Sequence, residues 1–163
     1  MPTQTIYDFS LTMQSGETLN LNDYRGKPLV IINTASHCKF TPQYEAIQDL
    51  WVMYRHWGLT IIGIPSGDFG NQEFKSNEDI QNFCNNNYNI SFLLAQKSHV
   101  KGNDAIPLFK WLSEQGGILA KPRWNFYKYV INRQGKLYKS FSSITSPASK
   151  RFVNAVERTC YDF

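Results

Sequence analysis

The chain has 163 residues, 42% hydrophobic and 18% charged, with a net charge of +4; this is the composition of a globular chain with a core of ordinary size, and it excludes a disordered one. Its lysines and arginines are scattered with no run of five or six, which argues against nucleic acid as a partner, and no apolar stretch reaches the roughly 18 residues of a membrane span. The opening residues, Met1 to Ile6, have neither a basic n-region nor an apolar h-region, so a cytoplasmic location is expected.

Residues 7–11 and 18–21 read as a short hairpin around Gln14, Ser15 and Gly16. Residues 28–34 (PLVIINT) are an apolar, β-branched run of the kind that forms a buried strand. A helix is predicted from Pro42, where a missing N–H costs nothing. Tyr44, Ile47, Leu50, Trp51, Tyr54 and Trp57 recur at helical spacing on one face, and Gly58 ends the helix. Residues 59–64 form a second buried strand, so this stretch is a βαβ unit with parallel strands. A turn-rich segment over 65–73 follows. Ser76 then caps a helix with an acidic first turn that carries Ile80, Phe83, Cys84 and Asn87. A further helix is predicted over 105–113, a strand over 126–131, a turn over 132–135, a returning strand over 136–141 and a closing helix over 147–158. The order predicts an α/β, thioredoxin-like fold: a central mixed β-sheet flanked by helices, with an N-terminal β-hairpin, in one domain over residues 1–163.

Three cysteines are too few, and too widely spaced, for a disulfide scaffold, and no Cys-x-x-Cys occurs. The three histidines show no His-x-x-x-His pair, so neither a metal nor another cofactor is expected. Cys38 stands out by position. It lies between the first buried strand and the helix after it, where the positive end of the helix dipole favours a thiolate. The carboxyl end of a parallel strand is also where α/β folds place their sites. A buried, inert cysteine is the competing reading of Cys38 from its residue type, as it is for Cys84 on its helix. Cys160, close to the end, is expected to lie in a frayed segment as an inert thiol.

The residues around Cys38 resemble the glutathione peroxidase family. The resemblance is carried by Asn33-Thr34-Ala35-Ser36-His37-Cys38 and Phe40-Thr41-Pro42-Gln43-Tyr44, by Pro65 with Phe69-Gly70-Asn71-Gln72-Glu73, and by Arg123-Trp124-Asn125-Phe126 with Lys128-Tyr129. Val100, Gly102 and the run Pro107-Leu108-Phe109 with Trp111-Leu112 extend it over nearly the whole chain, in the family's order. It implies a peroxidase site of Cys38, Gln72, Trp124 and Asn125. The amides and the indole N–H are neutral donors that can stabilise a thiolate and orient a peroxide. Departures are Ser66-Gly67-Asp68 for the usual Cys-Asn-Gln, Lys39 for a glycine, and Phe74 and Leu93 for prolines. A charged Asp68 beside the thiolate would oppose the chemistry.

Phe83-Cys84 followed by Asn87-Tyr88 resembles the segment that holds the resolving cysteine in the thioredoxin-dependent branch of the family. This implies that hydroperoxide, organic and lipid species included, oxidises Cys38 to a sulfenic acid. Cys84 then resolves it as a disulfide, and thioredoxin, or else glutathione, supplies the reducing equivalents. The short segment before Trp124 lacks the insertion of tetrameric members, which implies a monomer with an open site. The rival reading is a peroxide sensor that passes a Cys38–Cys84 disulfide to a partner protein.

Overall fold

The computed structural model describes residues 4–162. Strands β1 (Ser10–Thr12) and β2 (Thr18–Asn20) pair antiparallel as the expected hairpin. Strand β3 (Leu29–Thr34) is buried at every position, because its aliphatic run offers no face to water. Helix α1 (Gln43–Tyr54) crosses to β4 (Thr60–Pro65), which lies parallel to β3 from Leu29 opposite Thr60 to Thr34 opposite Pro65. Helix α2 (Asn77–Tyr88) starts at Ser76, whose side chain accepts from the Asp79 N–H. After it come β5 (Leu93–Leu94), α3 (Pro107–Gly116), β6 (Lys128–Ile131), β7 (Leu137–Phe141) and α4 (Lys150–Tyr161). The main sheet runs β5-β4-β3-β6-β7. Strands β5, β4 and β3 are parallel, while β6 and β7 are antiparallel to their neighbours. This is the thioredoxin-like mixed sheet that the sequence predicts.

The strand period of two splits the core into two layers. Leu29, Ile31, Ile62 and Tyr129 face α3 and the hairpin, through Leu108, Phe109 and Leu11. Val30, Ile32, Ile61 and Val130 face the opposite way, onto Tyr44 and Ile47 of α1, Ile80 and Cys84 of α2, and Phe152 and Val156 of α4.

Four local readings differ. The two-residue β5 adds a fifth strand too short to leave a period in the sequence. Trp57 is 44% exposed and packs edge-on against Tyr161; after Tyr54 the chain tightens into a 3₁₀ turn, which rotates Trp57 off the buried stripe. Phe126 lies outside the strand at φ +64°, in the left-handed region. Cys160 is fully buried in α4, which continues to Tyr161 instead of fraying, and the Cys160 carbonyl accepts from Arg133 at 2.7 Å.

Lys128 is a fully buried lysine. Its Nζ donates to the Phe126 carbonyl at 2.6 Å and the Ser142 carbonyl at 3.1 Å, tying the turn before β6 to the chain after β7. Burial pushes its pKa down to about 7 from the usual 10.5. Between those two values the unfolded chain holds a proton that the folded chain has lost, so this group adds stability as pH rises. The prediction is that wild type gains on Lys128→Met between pH 7 and pH 9, by up to about 1.4 kcal/mol per pH unit. Denaturant midpoints at a series of pH values measure the gap; a constant gap would show that Lys128 stays charged.

Candidate active site

Three loops meet at the carboxyl end of β3: the one leaving β3, the one leaving β4, and the one entering β6. Asn33 joins the first to the third. Its side-chain Nδ2 donates to the Trp124 carbonyl at 2.9 Å and its Oδ1 accepts from the Tyr127 N–H at 3.1 Å. Its backbone carbonyl accepts from the Phe126 N–H at 2.6 Å. These bonds hold the left-handed turn at Phe126, and that turn directs Trp124 and Asn125.

The first loop is joined to the second through Gln72, whose carbonyl accepts from the N–H groups of Ser36 and His37 at 3.2 and 2.9 Å. The Gln72 side-chain oxygen accepts from Asn125 Nδ2 at 3.0 Å, leaving the Gln72 amide hydrogens uncommitted among the described residues. Asn125 is fully buried and also donates to the Phe69 carbonyl; its own carbonyl accepts from the Ser143 hydroxyl. Trp124 lies over the Gly70 turn: a Cβ on Gly70 would sit 2.9 Å from the indole Cη2 and 3.3 Å from Gln72 Cδ.

Cys38 is 7% exposed and free. It occupies a turn held by Thr41, whose hydroxyl accepts from the Cys38 N–H at 3.0 Å and donates to the Ala35 carbonyl at 2.8 Å. The Phe40 N–H donates to the Cys38 sulfur at 3.4 Å. The thiol therefore stands before α1 proper, on a turn that winds into it, and the amide that donates to its sulfur belongs to that turn. Lys39 and Phe40 share a shallow depression with Trp124, Tyr127 and Ile144. The structure thus gathers Gln72, Trp124 and Asn125 into one contact group and docks the Cys38 loop against it.

Asp68 does not act on this group in the way the sequence suggests. Its carboxylate accepts from the Val100 N–H at 2.7 Å and the Lys101 N–H at 3.3 Å, and meets His99 Nδ1 at 2.7 Å. Burial pushes its pKa up, but His99 and the two amides outweigh burial and hold it below the ordinary carboxylate value. Its charge is spent on the segment after β5. Among the described residues, no group of three or more His, Cys, Asp or Glu side chains is placed to hold a metal.

Cys84 is fully buried on the inner face of α2, and free. Burial pushes its thiol up to about 11; the Tyr44 hydroxyl beside it pulls the other way and the Glu73 carboxylate adds to the rise. The neighbours of the two cysteines touch. His37 packs edge-on against Phe74 at 4.4 Å and against Phe83 at 6.2 Å between ring centres. Asn33, Glu73, Lys128 and Ser143 are structural supports of the site to which sequence reasoning gave no role; the first three stood inside motif segments read for other residues.

The glutathione peroxidase family model matches residues 6–113. The chain belongs to the glutathione peroxidase family. It is 40% identical over 143 residues to the glutathione peroxidase of Lactococcus lactis subsp. cremoris, covering 86% of this chain and 91% of that one. It is 41% identical over 151 residues to the hydroperoxy fatty acid reductase of Synechocystis sp., covering 88% and 89%. Among solved structures it resembles the apo form of Trgpx, with a TM-score of 0.77, 26% identity and 98% of each chain covered.

Gly70 offers a test of the contact group. In Gly70→Ala the new methyl meets Trp124 and Gln72 at a backbone angle of φ +71°, so both side chains must shift. Oxidation of Cys38 by peroxide should slow by up to about 10²-fold, the scale of a small misplacement at a reacting centre. Stopped-flow measurement of the Cys38 reaction gives the answer; an unchanged rate would remove Trp124 and Gln72 from the chemistry.

Proposed function

We propose that this member of the family is a thiol peroxidase that reduces hydrogen peroxide and organic or lipid hydroperoxides through Cys38, with Cys84 as resolving cysteine and thioredoxin as reductant. The observation that carries this reading is the Cys38 turn: a nearly buried thiol with an amide N–H on its sulfur, in a loop whose Ser36 and His37 amides join it to the Gln72 segment that bears the neutral donors. In the first step the Cys38 thiolate attacks the peroxide O–O bond. Sulfur takes the distal OH as a sulfenic acid, and the other oxygen leaves as alkoxide or hydroxide and takes a proton from solvent, giving alcohol or water. Gln72 and Trp124 supply uncharged donors that steady the charge as it moves, without a competing acid or base; Asn125, whose two amide hydrogens go to Gln72 and to the Phe69 carbonyl, positions Gln72 instead of donating itself. The open depression beside Trp124, and similarity to a hydroperoxy fatty acid reductase, support bulky hydroperoxides as substrates.

In the second step the Cys84 thiol displaces water from the sulfenic acid and a Cys38–Cys84 disulfide forms. A reduced thioredoxin dithiol then exchanges with it, restoring both thiols. Disulfide geometry requires sulfurs about 2.05 Å apart, so α2 must open to bring Cys84 out of the core. Its composition favours that. Ile80 and Cys84 are the buried residues of α2, and Asn82, Asn85, Asn86 and Asn87 are poor helix formers. The cycle uses thiols alone. Three free cysteines fit a reducing compartment, which supports the cytoplasm, and the short connection from α3 to Trp124 supports a monomer.

Cys38→Ser should abolish peroxide reduction while the fold persists; substantial turnover in that variant would sink the assignment. Cys84→Ser should react once with peroxide, stall as a sulfenic acid that dimedone labels, and lose turnover with thioredoxin. Peptide mapping of peroxide-treated wild type should find Cys38 joined to Cys84. A Cys38–Cys160 pair, or a Cys84→Ser variant as active as wild type, would point instead to a one-cysteine peroxidase served by glutathione. Assays with thioredoxin and glutathione systems side by side separate the two.

A further inference from the structure

Beneath the Cys38 loop lies a buried polar cluster that the peroxidatic step does not use. Glu73 is 5% exposed. Its Oε1 accepts from the Ser36 hydroxyl at 2.5 Å and from the Phe74 N–H at 2.9 Å. Its Oε2 is shielded from solvent and has no hydrogen-bond partner among the described residues; the same holds for the hydroxyls of Tyr44 and Thr34. Tyr44 is fully buried on α1, with its hydroxyl against Thr34 and Cys84. A charge on Glu73 is felt by both the Tyr44 phenol and the Cys84 thiol. An ionisable carboxyl with a bare oxygen thus stands at the joint between the loop of one cysteine and the helix of the other.

The resolving step needs such a group. Cys84–SH and Cys38–S–OH combine to give the disulfide and one water. The Cys84 sulfur is oxidised, the Cys38 sulfenic sulfur is reduced, the S–O bond breaks, and the thiol proton must reach the departing hydroxide. While α2 is closed, a thiol near 11 is ionised to only about 10⁻⁴ at pH 7, so Cys84 loses its proton either to a neighbour as the helix opens or to solvent afterwards. His37 is the other candidate base, but it is exposed on the outer side of its loop, with its ring against Phe74.

We propose that Glu73 is the acid–base residue of the resolving step, accepting the Cys84 proton, directly or through the Tyr44 hydroxyl, as α2 begins to open, and returning a proton to the hydroxide that leaves Cys38. The proposal rests on the two-cysteine reading above. The groups facing Glu73 are Ser36 from the Cys38 loop, its neighbour's amide at Phe74, Lys97 beyond β5, Tyr44 from α1 and Cys84 from α2. Burial raises its pKa; Ser36, the Phe74 amide and the charge of Lys97 oppose the rise without cancelling it. A carboxyl raised in this way is a better base for a thiol than an ordinary one.

Glu73→Gln is the test, because the amide oxygen still accepts from Ser36 and Phe74 while the new NH₂ can donate to Tyr44 or Thr34. Single-turnover mixing with hydrogen peroxide follows sulfenic acid formation by dimedone trapping and disulfide formation by mass spectrometry. The expected result is a disulfide rate lower by roughly 10²–10⁴-fold, with the ratio of resolution to oxidation falling by a similar factor. In wild type the resolving rate should level off with rising pH once Glu73 is ionised, well below the thiol's own value. In the variant it should climb about tenfold per pH unit up to the ordinary thiol value of about 8.5, as the released thiol ionises. Equal slowing of both steps, or a disulfide rate within about threefold of wild type, would overturn the proposal. So would His37→Ala reproducing the defect while Glu73→Gln does not. If Glu73→Gln fails to fold, the wild-type profile decides alone: a log-linear climb from pH 6 up to the ordinary thiol value of about 8.5 rejects an internal base. Cys84→Ser run in parallel separates the two ideas, since normal turnover there means that the Cys84 reading itself has failed.

Discussion

Everything at the site hangs on β3 being paired on both edges. A strand hydrogen-bonded parallel to β4 and antiparallel to β6 sends three chain segments to one end of the sheet: its own exit, the exit of β4 and the entry to β6. Cys38 comes from the first, Gln72 from the second, and Trp124 with Asn125 from the third. Four residues spread over more than half of the chain become neighbours because one buried aliphatic strand accepts two partners. Asn33, at the end of that strand, then spends both its side-chain groups and its carbonyl on the third segment. The left-handed conformation at Phe126 costs free energy, and these bonds, with those of Lys128 and Ser143, offset it.

The two thiols of the site differ in environment more than in sequence. Cys38 keeps a little exposure and receives an amide N–H on its sulfur, while Cys84 has a phenol and a carboxyl for neighbours inside the core and is pushed up to about 11. A thiol of that kind is nearly inert toward peroxide, since the thiolate is the reactive form. On the proposed cycle, burial would protect Cys84 from the oxidant that Cys38 meets, and the same burial would keep it from Cys38 until α2 moves.

Much of the fold was legible because its signals are local and strong. Residues 29–34 and 60–65 are continuous aliphatic runs, α1 has a clear stripe, and Ser76 announces α2. What stayed hidden depends on tertiary context. Two leucines make β5 only because Gly63 on β4 leaves room: a Cβ there would lie 2.9 Å from the Leu94 side chain. Trp57 left the stripe through a change of helix pitch after Tyr54 that spacing alone does not reveal. At the site the motifs named Cys38, Gln72, Trp124 and Asn125 together, but not the division of labour among them. That Asn125 holds the Gln72 oxygen, that Asp68 is turned toward His99 and Val100, and that Glu73 is buried with one bare oxygen are facts of packing.

Helix α2 carries two demands that conflict. It must shield Cys84, which favours a well-anchored helix, and on the two-cysteine cycle it must release Cys84 once Cys38 is oxidised, which favours a weak one. The sequence answers with an uneven design. The first turn is firmly started by the Ser76 cap and by Glu78 and Asp79 at the positive helix end. The second half runs through asparagines to a left-handed Asn89, where each residue gives up helix propensity. Opening from the C-terminal end would free Cys84 while Ile80 and the cap stay in place. The aromatic contacts of His37 with Phe74 and Phe83 sit at the edge of that boundary. A change at the Cys38 loop on oxidation has a route to α2 through them.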